Sequence, residues 1–240
     1  MNIKLVGKNL EDIRPLLGKY GFVEADRDIE LVICHGGDGA LLGAERELPG
    51  VLKFPIRDNA TAPVCSCHTL EARLRALAEK RYEVTELPKL SGRWQGEEIF
   101  GINDIFIHNK ICCGALRYSV TIDGKLYAPE IIGDGVGLST VHGSTAYFRS
   151  ITRGVFRTGM GLAFSNATAE VSHLILPETS VIEIKILRGP GLIIADNSPV
   201  SEISENEVIT LALAPRKAAV VGIEDFMCPD CCKTRHRRGN

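Results

Sequence analysis

The chain has 240 residues, of which 45% are hydrophobic and 24% are charged, and its formal net charge is −2. This composition is that of an ordinary soluble globular protein of one or two domains. The near-neutral charge argues against a nucleic-acid partner, and no apolar run approaches the ~20 residues of a membrane span. The cysteines do not form an extracellular disulfide pattern, since Cys34 falls in a predicted buried strand and Cys112 and Cys113 are adjacent. We therefore expect a cytoplasmic protein with reduced thiols.

Strands and helices alternate in the first part of the chain. Apolar runs predict strands at 3–7, 31–34 and 51–55, and helical periodicity predicts helices at 9–19, 40–47 and 69–80. Asn9 is the expected cap of the first helix. This alternation predicts a parallel sheet with right-handed crossovers, in which ligands bind beyond the carboxyl ends of the strands.

The pattern changes near residue 82. Alternation with period two predicts strands at 82–87, 118–122 and 182–186, separated by turn signals such as Asp123-Gly124. We expect an antiparallel, β-rich second domain. The predicted organisation is an α/β domain over 1–87, a β-rich domain over 88–222 and a tail over 223–240.

A glycine loop joins the predicted strand 31–34 to the predicted helix 40–47. It contains Gly36, Gly37, Asp38 and Gly39. Glycines let the backbone approach an anion, and the start of a helix adds its positive dipole end. An acidic residue in such a loop is useful if it holds Mg²⁺ or accepts a proton. The alternative is a tight turn in which Asp38 caps the helix.

Two more stretches carry polar residues in unusual surroundings. Asn103-Asp104 interrupts the apolar segment 101–107, where adjacent polar side chains are costly to bury. Residues 133–147 are dense in Gly, Ser and Thr and end in Gly-Ser-Thr-Ala-Tyr. The alternatives are a strand end with an Asx turn for the first stretch, and a Gly/Ser turn leading into a helix at Ser144 for the second.

These three motifs, in this order, resemble the NAD kinase family, which carries a Gly-Gly-Asp-Gly loop, an Asn-Glu dipeptide and a Gly-Asp-Gly stretch ending in Gly-Ser-Thr-Ala-Tyr. The resemblance spans roughly residues 30 to 200. It implies an α/β N-terminal domain with a parallel sheet, a β-rich antiparallel C-terminal domain and a homo-oligomer. The activity it implies is phosphorylation of the 2′-OH of the adenosine ribose of NAD, with ATP as donor and Mg²⁺ as cofactor.

The resemblance also assigns roles to individual residues. Asp38 would be the general base or the metal organiser, beside a phosphate loop formed by Gly36, Gly37 and Gly39. The other matching residues would contact the bound dinucleotide: Asn103, Asp104, Asp134, Thr145, Ala146, Tyr147 and Ser150.

The chain departs from the family pattern in ways that leave the acceptor open. Asp104 replaces the family's Glu, and segment 53–60 lacks the family's Asn and glycines. We expect Lys53 and Arg57 in this segment to favour an acceptor that bears a phosphate. The alternative functions are a kinase of the same superfamily acting on another alcohol or lipid, and a nucleotide-binding sensor without catalysis. Polyphosphate is an alternative donor.

A last group of residues has metal-ligand spacing. The half-sites are Cys65-Ser66-Cys67-His68 and Cys228-Pro229-Asp230-Cys231-Cys232, with His236 nearby in sequence. Thiolates and imidazole suit Zn²⁺ if the C-terminus folds back on the first domain. The alternative is a disordered tail with free thiols. We expect the free thiols, and no metal ligands among the site residues.

Overall fold

A computed structural model of the chain describes residues 1–111 and 113–237, without the side chains of 235–237. Cys112 and the His236 side chain therefore lie outside the described residues. The chain divides into two compact units, one formed by residues 1–87 with the segment from 217 onward, the other by residues 88–216.

The first unit starts with strands and helices that alternate. Its strands up to residue 87 are β1 (Asn2–Gly7), β2 (Val23–Glu24), β3 (Leu31–Gly36), β4 (Leu52–Arg57) and β5 (Val84–Leu87). Its helices there are α1 (Arg14–Leu17), α2 (Asp38–Glu47) and α3 (Leu70–Ala78). All six residues of β3 are buried, as expected for a parallel strand covered on both faces.

The second unit is built almost entirely of strands. They are β6 (Leu90–Trp94), β7 (Glu97–Gly101), β8 (Asp104–Asn109), β9 (Leu116–Ile122), β10 (Lys125–Gly133), β11 (Gly135–Ser139), β12 (Met160–Ser165), β13 (Leu174–Leu176), β14 (Ile182–Arg188), β15 (Gly191–Ala195), β16 (Ser201–Ile203) and β17 (Val208–Leu213). One short helix, α4 (Tyr147–Thr152), lies between β11 and β12.

These strands form two antiparallel sheets around one core. Their strand orders are β10-β9-β14-β17-β6-β7 and β13-β12-β11-β8-β15-β16. The period-two pattern predicted for β14 is present, since Ile182, Ile184 and Ile186 are buried while Glu183 and Lys185 are exposed. The buried isoleucines join side chains from both sheets in a single hydrophobic cluster.

The chain then returns to the first unit. Strand β18 (Ala218–Val221) pairs in parallel with β4 and antiparallel with β5. The first sheet thus has the order β2-β1-β3-β4-β18-β5. Helices α5 (Ile223–Phe226) and α6 (Pro229–Arg237) follow. The second unit therefore ends before β18, whereas the sequence pattern placed that boundary at residue 222.

The predicted fold class, an α/β domain with a parallel sheet and a β-rich antiparallel domain, is confirmed. The single helix predicted over 9–19 is wrong, because α1 is flanked by 3-10 turns at Leu10–Asp12 and Gly18–Tyr20. Asn9 has a left-handed backbone with φ of 49° and makes no side-chain cap. Across the described part of the chain, no helix has the length and apolar character needed to cross a membrane.

Candidate functional site

The glycine loop lies where β3 passes into α2, at a carboxyl end of the parallel sheet. Gly36 ends the strand with φ of +146°, a backbone conformation that L side chains rarely adopt. Gly37 occupies the N-cap position of α2, and Gly37, Asp38 and Gly39 are all exposed. The loop therefore presents backbone N–H groups and a helix N-terminus to solvent, which is the arrangement that binds phosphate.

Asp38 is the first residue of α2 and makes no capping hydrogen bond. The capping alternative for this residue is therefore wrong. The Asp38 carboxylate, 54% exposed, lies 3.2 Å from the Arg57 guanidinium at the end of β4. An exposed carboxylate beside a phosphate-binding loop can accept a proton or ligate a cation.

Arg57 is held in place from the other side by the C-terminal segment. Its guanidinium stacks 3.7 Å from the centre of the Phe226 ring, and its Nε donates to the Phe226 carbonyl at 3.3 Å. Only 10% of the Arg57 side chain is exposed. The planar, permanently charged guanidinium is suited to such stacking and pairing at once, so Arg57 positions Asp38 within this unit.

Lys53 does not have the role that the sequence suggested. Its side chain is fully buried, and its ammonium donates to Glu45 at 2.5 Å and to the carbonyls of Leu48 and Val51 at 2.7 and 2.5 Å. An ammonium enclosed by these acceptors cannot meet an acceptor phosphate. The expectation that Lys53 recognises a phosphate is wrong, because burial commits its charge to Glu45.

Asp58, the next residue after β4, is a buried carboxylate that connects the loop after β1 to the loop after β4 through hydrogen bonds. It accepts from the Asn9 amide at 2.9 Å, from the Ala60 backbone N–H at 3.0 Å and from the Thr61 hydroxyl at 2.9 Å. Burial raises the pKa of Asp58, but these hydrogen bonds outweigh it and the pKa is lowered overall. His35, beside it in the core, has Nδ1 2.6 Å from the Lys8 carbonyl.

Within the second unit, the Asn103-Asp104 segment is a bend between β7 and β8 held by Asp196. The backbone N–H groups of Ile102, Asn103 and Asp104 donate to the Asp196 carboxylate at 2.7, 2.8 and 3.1 Å. The buried Asn103 Oδ1 has no hydrogen-bond partner within the described residues. A buried acceptor without a partner costs free energy unless a ligand or water supplies a donor.

Asp104 is buried beside a second carboxylate. Burial first, and then the charge of Asp196, raise the pKa of Asp104 to about 7, while the Tyr147 backbone N–H opposes the shift. A carboxyl group with this pKa is partly protonated near neutrality. It can then donate a hydrogen bond as well as accept one.

The Gly-Ser-Thr-Ala-Tyr motif packs directly onto this bend. A Cβ at Gly143 would lie 2.0 Å from the Asn103 carbonyl oxygen, so only glycine permits this approach. The Tyr147 ring contacts Phe106 edge-on at 4.7 Å between ring centres and lies 5.4 Å from His108. The structure therefore brings together Asn103, Asp104 and Tyr147, three of the residues predicted to contact a dinucleotide.

The remaining predicted residues lie close to this cluster or on a neighbouring cavity. The cavity, of about 290 Å³, is lined by Thr145, Ala146, Arg149, Ser150 and Arg153. Exposed Asp134 accepts from the Asn166 amide at 2.7 Å. Burial lowers the pKa of His108, which lies beside the Tyr147 ring, and the charge of Asp134 opposes this shift.

The cysteine half-sites also meet, within the first unit. Ligand atoms of Cys65, His68, Cys228 and Cys231 lie within 4.8 Å of one another, whereas Cys67 and Cys232 are outside this group. The segment 229–237 is helical, unlike the disordered tail that we expected.

Comparison with known proteins finds curated relatives that match most of the chain. The chain is 26% identical over 243 residues to the NAD kinase of Sulfurisphaera tokodaii, covering 92% of this chain and 95% of that protein. It is 26% identical over 208 residues to the NAD kinase of Clostridium beijerinckii, and that match covers 82% of this chain and 68% of that protein. Over most of its length the chain is therefore similar to curated NAD kinases.

Two solved structures share the fold of this chain. Yeast NADH kinase complexed with NADH superposes with a TM-score of 0.78 at 17% identity, covering 92% of this chain and 83% of that one. An NAD kinase from Archaeoglobus fulgidus in complex with ATP superposes with a TM-score of 0.77 at 17% identity, covering 95% of this chain and 96% of that one. No family model matches the chain.

The structure adds residues that the family motifs did not indicate. Arg57 and Asp196 each hold a motif residue from a distant part of the chain, and Arg149 and Arg153 add positive charge beside Thr145 and Ser150. Arg149 and Arg153 follow the Gly-Ser-Thr-Ala-Tyr motif closely, and their charge was the available signal. Nothing local in sequence could have paired Arg57 with Asp38 or Asp196 with Asn103.

Proposed function

We propose that the chain transfers the γ-phosphoryl group of ATP to the 2′-OH of the adenosine ribose of NAD. The observation that carries this proposal is the Asp38 carboxylate on the glycine loop at the N-terminus of α2. It is exposed and makes no helix-capping hydrogen bond. A sensor that only bound nucleotide would gain little from an acid beside phosphates. The whole-length similarity to NAD kinases supports NAD as the acceptor.

Asp38 supplies the base in this mechanism. The acceptor hydroxyl oxygen forms a bond to the γ-phosphorus while the bond between that phosphorus and the β,γ-bridging oxygen breaks. ADP leaves with the electron pair of the broken bond, and the hydroxyl proton passes to the Asp38 carboxylate. Arg57 keeps that carboxylate in one orientation, so the proton acceptor is positioned before the substrate binds.

The residues of the loop also suit a magnesium ion. Mg²⁺ is usually held by one or two carboxylates together with substrate phosphates and water, and Asp38 is an exposed carboxylate on a phosphate-binding loop. When bound, the ion would neutralise charge on the donor phosphates. The backbone N–H groups of the loop bind those phosphates independently of the ion.

The second unit carries the residues for the dinucleotide. Tyr147, 38% exposed and braced by Phe106, offers a ring on which a base can stack. Asn103 has a buried amide oxygen that a donor of the nucleotide would satisfy. Arg149 and Arg153 give the cavity the positive charge that suits the pyrophosphate of NAD. Arg149 and Arg153 thus have the role of phosphate recognition that the sequence analysis expected of Lys53.

The decisive experiment follows NADP formation by the purified chain with Mg²⁺ and ATP. We expect NADP from NAD, and the same assay with NADH, nucleosides, sugars and lipids measures acceptor choice through ATP consumption. Polyphosphate in place of ATP tests the donor. Phosphorylation of an unrelated alcohol without NADP formation would reject NAD as acceptor, and binding of NAD and ATP without turnover of any acceptor would favour the sensor.

Cellular location and assembly are further proposals. The cysteines of the described residues are free, which fits the cytoplasmic location expected from sequence. The family resemblance implies a homo-oligomer, and size-exclusion chromatography with light scattering would measure its mass against the 26.1 kDa of one chain.

A further inference from the structure

We propose that Cys65, His68, Cys228 and Cys231 bind one structural zinc ion. Their two half-sites have the same spacing, Cys-x-x-His and Cys-x-x-Cys, and meet although Cys65 and Cys231 are 166 residues apart. The two pairs come from different elements. Cys65 caps a 3-10 turn after β4 that ends at His68, and Cys228 directly precedes α6, in whose first turn Cys231 lies. Three thiols and one imidazole form a ligand set typical of structural zinc.

The distances within the group match a tetrahedral ion. Zn–S bonds of about 2.3 Å and Zn–N bonds of about 2.0 Å give tetrahedron edges of about 3.8 Å between sulfurs and about 3.5 Å between sulfur and nitrogen. The Sγ atoms of Cys65 and Cys231 are 3.5 Å apart, and His68 Nδ1 lies 3.2 and 3.5 Å from them. A disulfide would require sulfurs about 2.05 Å apart.

The surroundings of the four residues are those of a metal site. His68 presents Nδ1 to the sulfurs, and its Nε2 lies 3.3 Å from the Asp225 carboxylate. This carboxylate–histidine pair is the arrangement that orients a histidine ligand. Arg73 in turn pairs with Asp225 and donates to the Gly222 carbonyl at 3.1 Å. The Cys65 backbone N–H points at the Cys231 sulfur from 3.3 Å, which stabilises negative charge on a thiolate.

The group is closed, which indicates a structural role. Four protein ligands complete a tetrahedral shell, whereas a catalytic zinc keeps a position for water or substrate. Cys231 is buried, and Cys65, His68 and Cys228 are half-buried. The ion would fasten the C-terminal segment to the loop after β4, where α5 and α6 have few residues of their own to bury. This role differs from the phosphoryl-transfer chemistry proposed for Asp38 and does not depend on it.

The test is zinc content of the full-length chain purified without added zinc. Elemental analysis should give about one zinc per chain, and chelator extraction should lower the melting temperature until Zn²⁺ is restored. Co²⁺ replacing the zinc should give the visible bands of a tetrahedral thiolate site. The matched control is Cys67→Ser, adjacent to His68 and two residues from Cys65 but outside the group, which should keep its zinc, while Cys231→Ser should lose it.

Asp225→Asn provides a second variant that leaves all four ligands in place. It removes the charge that orients His68 and should weaken zinc affinity by roughly 10- to 100-fold, measured by competition with a chromogenic chelator. The proposal would be overturned if the wild-type chain held less than about a tenth of an equivalent of zinc and its cysteine thiols reacted freely with a thiol reagent. Iron at stoichiometry, or a Cys65–Cys231 disulfide, would also overturn it. The zinc measurement needs no kinase activity, so its failure is distinct from failure of the proposed function.

Discussion

At the scale of single residues, each unit carries a candidate functional carboxylate, and the two carboxylates have contrasting surroundings. Asp38 is exposed and paired with Arg57, whereas Asp104 is buried beside Asp196. The first is open to solvent and can meet a proton donor or a cation. The second exchanges a proton near neutrality, since burial and a like charge both disfavour its ionised form. The two residues therefore make different predictions.

Asp38→Asn keeps the shape of the side chain and removes its charge. We expect kcat for NADP formation to fall by roughly 10²-fold or more, the scale of losing a general base, while ATP and NAD binding change little. Steady-state kinetics and equilibrium binding measure the two effects. The control is Glu47→Gln at the far end of the same helix, which should leave kcat unchanged. Near-wild-type turnover by the Asn variant would remove Asp38 from the mechanism.

Asp104→Asn tests the raised pKa through stability. Burial, and then the charge of Asp196, raise the pKa of Asp104 in the folded chain from its ordinary value of 3.8 to about 7. The folded state therefore binds the extra proton, and this group lowers stability progressively as pH rises from about 4 to about 7. The stability of the Asn variant relative to wild type should increase by up to about 3 kcal/mol between pH 5 and pH 8.

Urea unfolding of both proteins at the two pH values gives this difference directly. Ser119→Ala, in strand β9 of the same unit as Asp104, removes no titratable group and supplies the control, since it should show the same pH dependence as wild type. A relative stability of Asp104→Asn that stays constant from pH 5 to pH 8 would mean that Asp104 titrates normally.

At the scale of elements, the strands and helices that could be predicted are those with a clear local periodicity of apolar residues. Strand β3 and helix α3 were predicted because residues 31–34 form an apolar run and because Leu70, Leu74 and Leu77 recur on one helix face. The helix over 9–19 failed because Asn9, expected to cap it, instead donates to Asp58, a residue 49 positions away. Long-range partners of this kind leave no periodic signal.

Helix α4 gives the element-scale prediction for the dinucleotide. Tyr147→Ala should raise KM for NAD far more than KM for ATP, because a lost stacking contact weakens ground and transition states equally. Tyr127 is the matched control: it is also 38% exposed and also stacks on an aromatic ring, that of Phe164. Tyr127→Ala should leave both KM values unchanged. Equal changes for NAD and ATP in the Tyr147 variant would exclude a role confined to the acceptor.

The end of α4 carries the charge proposed for the pyrophosphate. Arg153→Gln should raise KM for NAD by roughly 10-fold, equivalent to about 1.4 kcal/mol of lost binding, with little change in kcat. Arg157, also exposed but outside the cavity lining, is the control, and Arg157→Gln should behave as wild type. If both variants raise KM by the same factor, general electrostatic attraction rather than the cavity explains the effect.

At the scale of the whole molecule, the chain closes the first unit with its own C-terminus. Strand β18 inserts beside β4, and α5 then places Phe226 against Arg57 and Asp225 against His68 and Arg73. The sequence showed both cysteine half-sites but could not show that they meet, because the contact depends on where β18 enters the sheet. The same return fixes Arg57, whose charge the sequence assigned to the acceptor.

Arg57 therefore links the proposed zinc ion to Asp38. Adjacent residues of α5, Asp225 and Phe226, hold His68 and Arg57 respectively, so loosening the C-terminal segment should release Arg57 and then Asp38. Arg57→Met keeps an apolar stem on the Phe226 ring and removes the charge. It should lower kcat by roughly 10-fold, about 1.4 kcal/mol, with KM for NAD within roughly 2-fold of wild type.

Removing zinc from the wild type, with Mg²⁺ restored for the assay, should lower kcat by a similar factor. In Arg57→Met, removing zinc should cause little further loss of kcat. Zinc removal and this substitution act through the same contacts to Asp38, so their effects on kcat should not add. Arg46→Met, an exposed arginine on α2, is the control and should respond to zinc removal as wild type does. A KM for NAD raised 10-fold with unchanged kcat would instead make Arg57 an acceptor contact, and fully additive losses would disconnect it from the metal cluster.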